Sequence, residues 1–186
     1  MDVNIMLDLE TLGREPGCVV CSVGAVAFDL TQMLPETFDR KIDIVHSNKR
    51  FMLTMDPETV LWWLGAEDSS PTEETRKALF SKRGLPLRVV CMSFVRWYAM
   101  LRERYNVKTI PVWGNSASFD CKIWEHCFHV TNVKVPWTFR DVRCYRTWKN
   151  LPMVKMSKTQ PKRSEHHDAL SDAKYQAQHM VNYWNS

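Results

Sequence analysis

The chain has 186 residues and a formal net charge of +4, enough length for one domain, spanning 1–186, with a core that needs no disulfide staples. Charged residues make up 25% and the hydrophobic set 45%, the balance of an ordinary soluble globular protein. The longest apolar stretch, Cys18 to Phe28, is too short for a membrane span, and Asp8, Glu10, Arg14 and Glu15 ahead of it do not suit a signal peptide. The expectation is a cytoplasmic protein with no membrane partner.

In chain order, Val3 to Leu7 is a short apolar run that reads as a buried strand ending at Asp8. Val19 to Phe28 reads as a second strand, with Gly24 as a bulge or a point of close approach. Thr37 to Val45 alternates weakly and reads as a third. Short connections between these three suggest an antiparallel meander. Thr54 to Glu58 looks like a helix start, with Pro57 near the first turn, and Pro71 to Phe80 is a second helix. Leu85 to Arg104 is a longer amphipathic helix, with Val89, Met92, Val95, Trp97 and Leu101 as its core members.

Thr109 to Trp113 reads as a buried strand ending at the Gly114-Asn115 turn, followed by a helix from Phe119 to Val130. Trp137 to Phe139 reads as a strand and Asp141 to Trp148 as a short helix. Asn150 to Ser164, with two prolines and many polar residues, reads as a mobile loop. Asp168 to Trp184 is the final helix. The order implies an α/β fold: a central mixed sheet of about five strands, three of them antiparallel first, flanked by helices.

Cys18 and Cys21 form a C-x-x-C, but Cys91, Cys121, Cys127 and Cys144 supply no second pair. A structural zinc site is not expected from that spacing. Charge is uneven. From Arg140 to Arg163 there are eight basic residues against the single acid Asp141, which leaves the rest of the chain net negative. Such a stretch suits a phosphate-bearing partner, or else a solvated loop.

Three acidic clusters carry the chemistry: Asp8-Leu9-Glu10-Thr11, Gly114-Asn115-Ser116-Ala117-Ser118-Phe119-Asp120, and His167-Asp168-Ala169-Leu170-Ser171-Asp172. Asp8 and Glu10 are two apart, so on a strand their side chains share a face. Singly, Asp120 and Asp172 could be helix-face charges and His167 could simply open a helix. Together, Asp8, Glu10, Asp120 and Asp172 are hard oxygen ligands of the kind that hold Mg²⁺ or Mn²⁺.

The D-x-E-T, N-x-x-x-F-D and H-x-A-x-x-D patterns, in that order, resemble the DEDDh group of 3′–5′ exonucleases in the ribonuclease H-like superfamily. Val23 to Asp29 is similar to that family's second strand. Thr59-Val60-Leu61-Trp62-Trp63 and Phe139-Arg140-Asp141-Val142-Arg143 resemble a subgroup containing phage exonuclease A (DexA) and a bacterial 3′–5′ exoribonuclease. The resemblance covers nearly the whole chain and implies a ribonuclease H-like fold.

It also implies roles. Asp8, Glu10, Asp120 and Asp172 would bind two ions, Mg²⁺ or Mn²⁺. Two such ions about 4 Å apart can stabilise the attacking and leaving oxygens of a phosphodiester. His167 would be the general base; the family spacing of five positions to Asp172 selects it over the adjacent His166. Leu9, Thr11 and Leu12 would meet the terminal nucleotide through backbone groups, the Thr hydroxyl and an apolar edge, and Asn115 and Phe119 would shape the pocket. Trp62 and Trp63 offer stacking, worth about 1–3 kcal/mol per base. One of the two is expected to be buried and one to face the site. The implied activity is 3′–5′ hydrolysis of single-stranded DNA or RNA, or of 3′ overhangs, to nucleoside 5′-monophosphates, with DNA slightly favoured. The alternative is a non-catalytic or accessory nucleic-acid-binding subunit of a replication or repair assembly. Several relatives act as dimers, so a homodimer is a further implication.

Overall fold

The structure, a computed structural model, describes residues 2–80, 84–162 and 167–186. Arg163 and Ser164 of the sequence reading, and His166 beside the proposed base, lie outside the described residues.

Three strands come first: β1 (Asn4–Thr11), β2 (Val20–Phe28) and β3 (Met33–Lys41). They pair antiparallel, and β4 (Val112–Gly114) and β5 (Val142–Cys144) add in parallel on the far side of β1, giving the order β3-β2-β1-β4-β5. β1 and β2 are buried along their whole length, as strands covered on both faces must be. Alternation along β1 decides what each face meets. Ile5, Leu7 and Leu9 join the larger core, which also holds Phe94, Trp124 and Phe128. Met6 faces the other way, into a smaller core with Tyr145, Ala173, Ala177 and Met180. Asp8 and Glu10 have the parity of Met6 and so point to this second side.

The helices are α1 (Ile44–Phe51), α2 (Pro57–Leu64), α3 (Glu73–Phe80), α4 (Leu87–Arg104), α5 (Lys122–Val130), α6 (Tyr145–Lys149), α7 (Pro152–Ser157) and α8 (Ala169–Trp184). A single π-helical turn, Ala117–Cys121, precedes α5. α8 lies across β2 and β1. The arrangement is the α/β, ribonuclease H-like order anticipated above. Among the described residues no helix is long and apolar enough to cross a membrane.

Five local expectations are corrected. The third strand ends at Lys41, because Asp43 caps α1 by accepting the backbone N–H of His46 at 2.9 Å, and a filled N-cap outweighs weak alternation. In α4 the buried stripe is Leu87, Val90, Cys91, Phe94, Trp97, Tyr98 and Leu101, whereas Val89 and Met92 are exposed. The helix begins two residues later than read, because backbone bonds from Leu85 N–H to Lys41 and from Asp43 N–H to Leu85 hold that residue beside the end of β3. Trp137 is not in a strand. Its indole N–H donates to Glu125 at 3.0 Å, and β5 starts at Val142. Within 150–164, α7 forms around buried Val154, with Pro152 in its first turn, where its missing N–H costs nothing.

Gly24 decides how closely α8 can approach. A Cβ built there would lie 2.2 Å from the carbonyl carbon of Ala169 and from the backbone nitrogen of Leu170. Backbone cannot yield as a flexible side chain can, so Gly24→Ala must push the start of α8 off the sheet. The expected cost is about 1–3 kcal/mol, the usual range for overpacking, read as a lowered melting temperature. Unchanged stability in Gly24→Ala would contradict this packing.

Candidate metal and nucleic-acid site

The acidic clusters arrive from separate elements. On β1, Asp8 lies opposite Gly24 and Glu10 opposite Ser22 of β2. Asp168 caps α8 by accepting Ser171 N–H at 2.8 Å. The helix then passes over Gly24, so Asp172 and Gln176, one turn apart, face the strand. Gln176 Nε2 donates to Asp8 Oδ1 at 2.8 Å. β4 ends at Gly114, paired with Leu7, and the π-helical turn carries Asp120 back towards Asp8. Asp120 Oδ2 accepts Ser116 N–H at 3.0 Å. A Cβ at Gly114 would lie 2.9 Å from that of Asp120, so the absent side chain makes room for the acid.

His167 has φ of 63°, a left-handed conformation uncommon outside glycine. Its backbone N–H donates to Asp172 Oδ2 at 3.2 Å. Glu10, His167 and Asp172 each offer one ligand atom, and these atoms lie within 4.8 Å of one another. Asp8, Glu10, Asp120 and Asp172 are all buried, at 3–7% exposure. Burial first, then the charges of Asp120, Glu10 and Asp172, hold the Asp8 carboxyl well above its ordinary range. Burial pushes Asp120 up to about 6, against the opposing pull of backbone N–H groups and Arg146. Buried carboxylates that crowd one another are a donor set suited to a hard divalent cation.

Beside Glu10 lies a cleft of about 360 Å³, lined by Leu9, Thr11, Trp62, Trp63 and Phe119 among others. Trp63 is 3% exposed and its indole N–H donates to the Thr11 carbonyl at 2.9 Å. Trp62 is half-buried and meets the His167 ring edge-on at 4.8 Å between centroids. The Thr11 hydroxyl donates to the Gly13 carbonyl at 2.6 Å. Leu12 is buried in the larger core and is not among the cleft lining. This departs from the apolar edge expected of it, because its N–H pairs with Val19 and turns the residue inward. Asn115 also stands outside the cleft lining, its carbonyl accepting Arg146 N–H at 2.9 Å.

Gln176 escaped the sequence reading. The available signal was its i, i+4 spacing from Asp172, but a glutamine on a helix is usually a surface residue. Arg14 was also missed. It lines the cleft and pairs with Glu58 at 2.6 Å and Asp56 at 3.3 Å.

The crowding has a pH signature. In the window from about 4 to about 6, folded Asp120 keeps a proton that the unfolded chain has released. The stabilisation is therefore complete below the unfolded value and lost as pH rises through about 6. Asp8 extends the same trend upward. In EDTA, the melting temperature should fall as pH rises from about 4 through about 6 and keep falling above it, and millimolar Mg²⁺ or Mn²⁺ should flatten the slope. Asp8→Asn should raise the metal-free melting temperature at neutral pH by about 3 °C, the response to ~1 kcal/mol in a chain of this size. A melting temperature indifferent to pH, metal and this substitution would contradict the crowding.

No curated protein matches the chain. A family model described as the Rv2179c-like 3′-5′ exoribonuclease domain matches residues 3–184, a span that includes every acidic residue of the site. With its five-stranded mixed sheet and convergent carboxylates, the chain belongs to the Rv2179c-like 3′-5′ exoribonuclease domain family.

Proposed function

We propose that the chain, acting as one domain, is a metal-dependent exonuclease of the DEDDh type. In this reading it removes nucleoside 5′-monophosphates from the 3′ ends of single strands or overhangs. The observation that carries the proposal is the meeting of Asp8, Glu10, Asp120, Asp172 and His167 beside an aromatic cleft. At about 360 Å³ the cleft is at the small end of ligand pockets, which suits one terminal nucleotide rather than a strand passing through. That favours cleavage from an end.

The four carboxylates would hold Mg²⁺ or Mn²⁺, two ions in this reading, which when bound supply charge neutralisation at the phosphate oxygens. His167 accepts a proton from the attacking water, and the nearby Glu10 and Asp172 stabilise the imidazolium that forms. Trp62, Leu9 and Phe119 hold the terminal base and sugar by apolar contact and shield them from water, with Trp63 bracing the cleft wall from beneath. Gln176 keeps Asp8 oriented through its hydrogen bond. The resemblance to phage exonuclease A favours DNA slightly, whereas the family description names an exoribonuclease. Discrimination between the two rests on how a 2′-OH is met, so both sugars enter the test.

The experiment incubates the full chain with 5′-labelled single-stranded RNA or DNA in Mg²⁺, Mn²⁺ or EDTA. A metal-dependent ladder shortening from the 3′ end is expected, abolished in Asp8→Ala. His167→Ala should slow it by roughly 10²–10⁴-fold and His166→Ala much less. No degradation of either strand in the presence of metal would reject catalysis in favour of an accessory binding role.

A further inference from the structure

The cleft accounts for the 3′-terminal nucleotide and leaves open where the rest of the strand goes. The basic segment supplies a route. Its site end is pinned where Arg146 N–H donates to Asn115, five residues before Asp120, and Arg146 is near enough for its charge to act on Asp120. Its far end is pinned where Asn182 donates to the Thr159 carbonyl at 3.1 Å. Asn182 is ten residues beyond Asp172 on α8, or about 15 Å at helical rise. Between the two pins, α6 and α7 turn Tyr145 and Val154 inward and leave Arg146, Lys155 and Lys158 exposed.

These cations are available. Among the described residues, no carboxylate lies within salt-bridge distance of Arg146, Lys155 or Lys158. The one acid of the segment, Asp141, has Oδ2 engaged by the backbone N–H and hydroxyl of Thr138, both at 2.8 Å. Met153, just before Lys155, and Met156, between Lys155 and Lys158, stand 62% and 75% exposed. Cations that contact phosphates, interleaved with apolar side chains that contact bases, are the combination a single strand uses without sequence preference.

We propose that the outer surface of α6 and α7 is a binding track for the nucleic-acid strand on the 5′ side of the scissile phosphate. Arg146 is nearest the cleavage site, and Lys155 and Lys158 lie further upstream. This rests on the exonuclease reading above for its direction, and on the surface itself for its affinity.

The test uses the full chain and the double variant Lys155→Gln/Lys158→Gln. Lys108→Gln/Lys134→Gln, at exposed positions elsewhere, serves as the matched loss of charge. Binding of a fluorescein-labelled single-stranded RNA is followed by anisotropy in EDTA across a salt series. KM is measured for that strand and for a dinucleotide in Mg²⁺. The track variant should bind the strand about 10-fold more weakly at low salt. Its log–log salt slope should be shallower by about 1.4, at about 0.7 per phosphate contact. Its KM should rise for the strand and stay unchanged for the dinucleotide, and the control variant should match the wild type. Wild-type affinity, slope and KM in the track variant would overturn the proposal, as would equal losses in the control variant. Should the wild type cleave neither substrate while the track variant still loses strand binding, the track would be supported and the exonuclease reading would fail.

Discussion

Because α8 crosses β2 at a residue without a side chain, its first two turns approach the sheet backbone closely enough for Gln176 to reach Asp8 directly. That single close contact organises the rest of the centre. It sets the height of Asp172 above the strand, places the capping residue Asp168 at the sheet surface, and fixes the chain just before it. His167 enters with a left-handed backbone and hands its N–H to Asp172. A larger residue at position 24 would separate the first acidic cluster from the third, whatever their sequences.

The same closeness is electrostatically costly. Two carboxylates 4 Å apart at an effective dielectric of about 20 repel by about 4 kcal/mol, and here burial adds to that repulsion at Asp8 and Asp120. The surrounding fold offsets the cost with apolar packing. β1 and β2 are buried throughout, and α4, α5 and α8 cover the two faces of the sheet. A centre built this way is suited to cations and unfavourable without them, so in the proposed reading stability and function make opposite demands on the same four side chains.

Geometry also divides the work between the tryptophans. Trp63 is committed to the fold through the Thr11 carbonyl, and so joins α2 to the end of β1. Trp62 keeps a half-exposed face beside His167 and the cleft. Adjacent residues on a helix point about 100° apart, so one of the pair can be core while the other borders solvent. The link from α2 to β1 ties the cleft wall to the acidic strand through one buried hydrogen bond.

Much was legible in the sequence because its determinants are local. The apolar runs of β1 and β2, the capped starts of α2 and α8, and the D-x-E spacing that puts two carboxylates on one strand face all follow from the periodicity and capping of neighbouring residues. The third strand was misread because Asp43 caps a helix three residues ahead where weak alternation suggested a strand, and the start of α4 because Leu85 is tied non-locally to the end of β3. α7 was read as loop because its one core anchor, Val154, is inconspicuous among prolines and lysines. The acidic clusters themselves were visible in composition and order. Their convergence and the service of Gln176 to Asp8 were set by tertiary packing, because each depends on residues more than a hundred positions apart or on the height at which a helix rests on a sheet.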